Sequence, residues 1–129
     1  MQRVTVFFNS GAYEQVHQGL SIAASAASLG REVELYFFWW ALERLVRGEL
    51  DVPDVREDVA DEMERRGVPT LRELLGVVRS SGKARLFACS GSMAALGITA
   101  AQVEAPVDQV VGWTTILQRT AGVTDRFFV

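Results

Sequence analysis

The one cysteine of the chain, Cys89, lies between two apolar runs in the stretch LFACSGSMAALGI, residues 86–98. Three small residues and then an apolar segment follow the thiol: Ser90, Gly91, Ser92 and Met93. If a strand ends here and a helix begins, the free N–H groups of residues 91–93 would donate to a thiolate or a persulfide on Cys89. They would also lower the pKa of the thiol below its usual value of about 8.5. The same pattern suits a cysteine that only fills space in a core, and spacing alone does not decide between the two.

One thiol and one histidine exclude several kinds of site within a single chain. An internal disulfide and a two-thiol redox cycle are impossible, and a zinc site of several Cys and His ligands is unavailable. No arginine follows Cys89 where a phosphatase-type or rhodanese-type anion loop would place one, and no Gly-rich phosphate-binding motif is present. Any chemistry at Cys89 would therefore be that of a single thiol, with no metal and no organic cofactor required.

The composition is that of a globular chain. At 129 residues, of which 49% are hydrophobic and 22% charged, the chain suits one domain spanning residues 1–129. The net charge of −3 predicts no nucleic-acid partner. No apolar run reaches the roughly 18 residues of a membrane span. The start, MQRVTVFFNSG, lacks the apolar region of a signal peptide, so we expect a cytoplasmic protein.

Apolar runs that suit strands alternate with stretches of helical periodicity. The predicted strands cover residues 4–8, 32–38, 84–88, 102–105 and 126–129. The predicted helices cover residues 12–29, 39–46, 71 to about 80, 92–96 and 107–120. This alternation predicts an α/β domain of Rossmann-like type, with a mostly parallel sheet of about five strands and helices on both faces.

One segment, residues 47–66, differs in charge from the rest of the chain. It holds eight acidic and four basic residues. We interpret it as a solvated acidic excursion over the sheet edge, with a docking surface for a basic partner as the alternative.

Parallel strands gather functional groups beyond their carboxyl ends, and Cys89 follows a predicted strand there. Ser10 and Gly11 follow the first strand, where they either border the thiol pocket or cap the next helix. Trp39 and Trp40 follow the second strand and could cover the thiol or fill a subunit contact. These residues are the candidate walls of a pocket around the thiol.

The first predicted helix carries a second pair of candidates, Tyr13 and His17, one helical turn apart. If their face points toward the third strand, His17 could exchange a proton with Cys89. The alternative is that His17 is only a surface or packing residue. Ser90 and Ser92 follow the cysteine directly, and we interpret them either as hydrogen-bond donors to the sulfur or as helix caps.

Read together, two stretches resemble the DsrE/DsrF-like (DsrE/TusD-type) family of sulfur-relay proteins: FFNSGAYEQVHQGLSIAASAASLGREVELYFFWWAL and LFACSGSMAALGI. The features that carry the resemblance are the Ser-Gly turn, the alanine-rich helix ending in Gly, the aromatic strand with its tryptophan, and Ala-Cys-x-x-Ser-Met before Gly-Ile. A later Val-Val-Gly and an apolar last strand extend the resemblance over nearly the whole chain. The acidic segment 47–66 departs from it, because an apolar or Met-rich insertion near membranes is expected there, and argues against membrane association.

The resemblance implies a small α/β subunit whose cysteine, here Cys89, accepts sulfane sulfur as a persulfide and passes it to an acceptor thiol. Its implied partners are sulfur donor and acceptor proteins or low-molecular-weight persulfides. It also implies a homo-oligomer, a trimer or hexamer, which the tryptophans and the Phe127-Phe128 pair could help to bury. Two alternatives stay open: a binding module for a small anion or nucleotide, and a one-cysteine peroxide sensor.

Overall fold

The computed structural model describes residues 2–52 and 59–129, which form five strands and seven helices. The strands are β1 (Val4–Phe8), β2 (Val33–Phe37), β3 (Ala84–Cys89), β4 (Gln109–Val111) and β5 (Asp125–Phe128). The helices are α1 (Tyr13–Ser28), α2 (Trp39–Val46), α3 (Val59–Arg65), α4 (Leu71–Ser80), α5 (Ser90–Leu96), α6 (Ala100–Glu104) and α7 (Trp113–Thr120). All strands are parallel, in the order β4-β3-β2-β1-β5. The predicted single α/β domain with a five-stranded parallel sheet is confirmed.

The two central strands β1 and β2 form where the sequence is mostly apolar, each with one polar residue, Thr5 and Glu34. All five residues of β1 and all five of β2 are buried, as expected for strands covered on both faces. The two strands pair in register from Val4 opposite Val33 to Phe8 opposite Phe37. Both therefore end at the same level, which is also where β3 brings Cys89.

The two faces of the sheet differ in chemistry, because successive side chains of a strand point to opposite faces. One face is largely aliphatic and packs on the helices α1, α2 and α4; its strand residues include Val4, Val6, Leu35 and Leu86. The other face is aromatic; its cluster consists of Phe7, Tyr36, Phe38, Phe87, Cys89, Val111 and Ile116. Ile116 is the helix residue of this cluster. Cys89 therefore lies on the face that α7 covers.

Two predicted elements between β3 and β5 are wrong. Residues 102–105 are not a strand, because they belong to α6 or directly follow it. Thr99 is the N-cap of this helix: its side chain accepts from the Gln102 N–H, and the Gln102 side chain accepts from the Thr99 N–H. This reciprocal pair is a capping box, which starts a helix. Residues 107–120 are not one helix: the chain forms β4 first, breaks at Gly112 and only then begins α7.

The acidic segment lies partly outside the described residues. Within its described part, the Glu62 carboxylate of α3 pairs with Arg65 and Arg66, and these pairings lower the Glu62 pKa. The predicted excursion over the sheet edge remains a prediction. In residues 2–52 and 59–129, no helix has both the length and the apolar character needed to cross a bilayer.

Candidate functional site

Cys89 is the last residue of β3 and also the N-cap of α5. The predicted placement of the thiol at a strand end, directly before a helix, is thus found, and the helix begins at Ser90 rather than Ser92. The side chain of Cys89 makes no capping hydrogen bond to the first turn of α5, and the residue is 4% exposed. The expected donation from the N–H groups of residues 91–93 to the thiol is therefore not made in this structure.

A cavity of about 280 Å³ opens beside the thiol at the carboxyl edge of the sheet. Its walls are Asn9, Phe38, Trp39, Cys89, Gly91, Ser92 and Trp113. None of these side chains is charged and three are aromatic; the polar groups are one amide, one hydroxyl, the thiol and the indole N–H groups of the two tryptophans. Phe38 and Trp113 form one wall together, since their rings stack with centroids 5.0 Å apart. The cavity can hold a small sulfur species or the tip of a larger one.

Trp39 forms another wall through an uncommon backbone conformation. Its φ is +45°, and among the non-glycine residues that the structure describes it alone has a positive φ. A bulky side chain in this region is strained. The side chain is 48% exposed, so it contributes to the cavity without being buried in the core. The neighbouring Trp40 does not line this cavity.

Ser10 and Gly11 line a different cavity, of about 430 Å³, together with Ala12, Trp40, Glu43, Arg44, Glu49 and Val52. The Ser10 hydroxyl accepts from the Ala12 N–H at 3.1 Å, which fixes the turn before α1. A Cβ on Gly11 would lie 2.7 Å from the Cβ of Trp40, so glycine is required by a close approach of backbone and side chain. Ser10 and Gly11 therefore line this second cavity and not the cavity beside Cys89.

The charges of that second cavity are unsuited to an anion. Arg44 is nearly buried, and its guanidinium donates to the carbonyl oxygens of Gly11, Glu49, Leu50 and Val52. The other charged residues in the wall are Glu43 and Glu49. A site for a small anion or nucleotide is therefore not favoured there.

Tyr13 and His17 make contacts that hold helices together. The Tyr13 hydroxyl donates to the Asp51 carboxylate at 3.0 Å, and the same carboxylate accepts from the Leu71 N–H at 2.9 Å at the start of α4. Burial and this hydrogen bond raise the pKa of Tyr13 to about 12. Nε2 of His17 lies 3.0 Å from the carbonyl oxygen of Pro69. Neither side chain lines the Cys89 cavity, so the geometry offers His17 no direct path for a proton to Cys89.

Met93 and Ser90 also lie away from the cavity. Met93 is buried in the aliphatic cluster on the other face of the sheet. Ser90 is exposed, and its Oγ lies 3.4 Å from the position that a Cβ on Gly112 would take. Of the residues around the thiol that the sequence suggested, the structure brings together Trp39, Gly91 and Ser92.

Asn9, Phe38 and Trp113 are the wall residues that sequence reasoning did not assign to the pocket. Asn9 and Phe38 directly follow β1 and β2, so the position of functional groups beyond strand ends could have identified them. Trp113 begins α7 just after β4. A single helix over residues 107–120 would place Trp113 in mid-helix, whereas in the structure Trp113 follows the end of β4.

A buried carboxylate lies under α7 on the same face of the sheet. Glu34 is 5% exposed and accepts from the Tyr36 hydroxyl at 2.6 Å, while Arg3 and Arg119 pair with it. Burial alone would raise the pKa of the Glu34 carboxyl, but the hydrogen bonds from Arg119 and Tyr36 and the charge of Arg3 hold it below the usual value. Burial and the bond to Glu34 in turn raise the pKa of Tyr36. We interpret this group as a structural anchor of α7.

No group of three or more His, Cys, Asp or Glu side chains in the described part of the chain is arranged to hold a metal ion.

Comparison with known proteins places this arrangement in a family. The profile of the DsrE/DsrF-like family matches residues 2–122. A solved structure of a protein of unknown function from Methanobacterium thermoautotrophicum, MTH1491, is similar over 100% of both chains, with a TM-score of 0.64 and 17% sequence identity. That likeness shows the fold alone, and no curated protein matches the chain significantly. Since the family profile covers nearly the whole sequence, the chain belongs to the DsrE/DsrF-like family.

Proposed function

We propose that the protein is a sulfur carrier that accepts sulfane sulfur as a persulfide on Cys89 and passes it to an acceptor thiol. Membership of the DsrE/DsrF-like family supports a role in sulfur relay. The observation that carries the proposal is that the chain's one thiol lies in the wall of an uncharged cavity at the carboxyl edge of the parallel sheet. This cavity provides space beside Sγ for a second sulfur atom.

In the proposed reaction the Cys89 thiolate attacks the outer sulfur of a donor persulfide, R–S–SH. A new S–S bond forms, the donor's S–S bond breaks, and its electron pair leaves with the thiolate R–S⁻. The product is a persulfide on Cys89, with no net oxidation. Delivery repeats the exchange, with an acceptor thiolate attacking and Cys89 leaving.

The test is the intact mass of the protein after incubation with inorganic polysulfide. Wild type should gain about 32 Da, one sulfur atom, and lose it on treatment with dithiothreitol; Cys89→Ser should gain nothing, because an alcohol forms no stable persulfide. The serine variant should stay folded, with a stability within about 1 kcal/mol of wild type, since no large cavity is created.

Other results would favour other functions. A wild-type protein that never gains sulfur would overturn the proposal and leave binding of a small molecule as the leading function. A gain of about 16 Da, one oxygen, on exposure to peroxide with no sulfur uptake would favour a peroxide sensor. An unfolded Cys89→Ser variant would show that the cysteine mainly fills space.

We further propose that the protein is a homo-oligomer, a trimer or a hexamer. Trp39, Trp113 and Phe128 are about half exposed or more. A large exposed aromatic surface is typical of an interaction site. Multi-angle light scattering at micromolar concentration should give a multiple of the 14.2 kDa chain mass, and a monomeric mass would refute this.

A further inference from the structure

Ser92 is the buried polar residue of the cavity wall that carries a hydroxyl. The residue is 3% exposed, and its hydroxyl has no hydrogen-bond partner in residues 2–52 and 59–129. It lines the cavity beside the thiol. Among the described residues, the fully enclosed side-chain oxygen without a partner is that of Thr5, so the Ser92 oxygen is accessible from the cavity and can donate into it. The Ser92 hydroxyl is therefore an unused donor, available to a group that enters the cavity.

The position of Ser92 in α5 places its side chain near that of Cys89. Cys89 is the N-cap of α5 and Ser92 is the third residue of that helix. Side chains at these two positions lie together at the start of a helix, as in a capping box. Yet the hydroxyl does not hydrogen-bond to the sulfur of the unmodified cysteine. A second sulfur, about 2.05 Å beyond Sγ, would extend into the space that Ser92 lines.

We infer that the Ser92 hydroxyl donates a hydrogen bond to the outer sulfur of the Cys89 persulfide and stabilises it as an anion. The inference rests on the proposed function, since it assigns a residue to the product of that reaction. No charged side chain lines the cavity, so an anion there depends on neutral donors, of which the Ser92 hydroxyl is the buried one in the helix that begins after Cys89. Because the bond is made only after sulfur is loaded, Ser92 favours the loaded state over the free thiol.

The test compares Ser92→Ala with wild type in the complete chain, using a low-molecular-weight alkyl persulfide as donor. Ser92→Ala should stay folded and still accept sulfur. Its equilibrium for loading, read from intact mass over a series of donor concentrations, should shift against the loaded form by roughly tenfold or more, as expected for a lost hydrogen bond to an anion. The pH at which the loaded protein reaches half its maximal alkylation rate should also rise, because the anion has lost a donor.

Ser90→Ala is the matched control, since Ser90 belongs to the same helix turn, is exposed and does not line the cavity. It should load as wild type does. Equal loading and equal pH profiles in Ser92→Ala and wild type would overturn the inference while leaving the carrier function intact. A Ser92→Ala variant that does not fold would overturn it too, because the hydroxyl would then be structural. A wild-type protein that never loads would overturn both proposals.

Discussion

The indole of Trp113 stacks on the ring of Phe38, with planes 15° apart, and the two rings close one side of the Cys89 cavity. The pair joins the start of α7 to the residue that follows β2. Trp113 is 52% exposed, so it shields the thiol more than it fills the core. A residue that the chain reaches 24 positions after Cys89 thus forms part of the wall beside the thiol.

Replacing Trp113 by alanine should expose Cys89. We expect the rate of alkylation by iodoacetamide to rise several-fold, while the lost stacking destabilises the fold by about 1 kcal/mol. Leu117→Ala is the control, because Leu117 is exposed on the same helix and does not line the cavity. An alkylation rate equal to wild type would show that Trp113 does not shield the thiol.

The variant Trp39→Gly tests whether the strained backbone at position 39 is retained because the tryptophan side chain is needed in the cavity wall. Glycine adopts a positive φ without steric cost, so the substitution should relieve about 1 kcal/mol of backbone strain. The melting temperature should therefore stay the same or rise. At Trp40, a helical position with no positive φ, glycine should lower the free energy of unfolding by about 1 kcal/mol and the melting temperature with it. Sulfur loading should change in Trp39→Gly and not in Trp40→Gly. A clear loss of stability in Trp39→Gly would contradict the strain argument.

Tyr13→Phe should reduce stability without affecting chemistry at the thiol. The change removes the hydrogen bond to Asp51, which we expect to cost about 1 kcal/mol in the free energy of unfolding. Denaturant titration measures this cost, and intact mass measures sulfur loading, which should stay at the wild-type level. Reduced sulfur loading in a fully folded variant would show that Tyr13 contributes to the chemistry at Cys89.

The fold could be predicted from the sequence because its strongest signals are local. β1 and β2 are buried and mostly apolar, and Thr70 caps the helix α4, since its hydroxyl accepts from the Glu73 N–H as expected of a cap. The error between β3 and β5 arose where elements are short: β4 has three residues and α6 has five. The Thr99-x-x-Gln102 spacing was the available signal for α6, since it is the pattern of a capping box.

The site was predictable only in part, for a different physical reason. That Cys89 follows a strand and precedes a helix is a property of one short stretch. Which residues surround it depends on the strand order and on the face to which each strand residue points. His17 and Met93 are suitable by residue type, yet they lie with helices on the other side of the sheet. Trp113 comes to the thiol only because β4 pairs beside β3.

The carboxyl of Glu34 should give the fold a measurable dependence on pH. Its pKa in the folded protein is held below the usual value by Arg119, Tyr36 and Arg3. A depressed pKa means that the ionised group stabilises the fold at neutral pH, and that this contribution is lost as the pH falls below about 4 and through the folded-state pKa. Glu34→Gln should therefore lower the free energy of unfolding by about 1 to 3 kcal/mol at pH 7. At pH 3 the difference from wild type should be smaller.

Urea titrations of both proteins at pH 7 and pH 3 measure this difference. Glu62→Gln is the control, because its carboxyl also pairs with two arginines but does so in solvent, where such pairs contribute little. It should change stability little at either pH. An equal loss in Glu34→Gln at both pH values would mean that shape and packing, and not the charge of Glu34, hold α7 on the sheet.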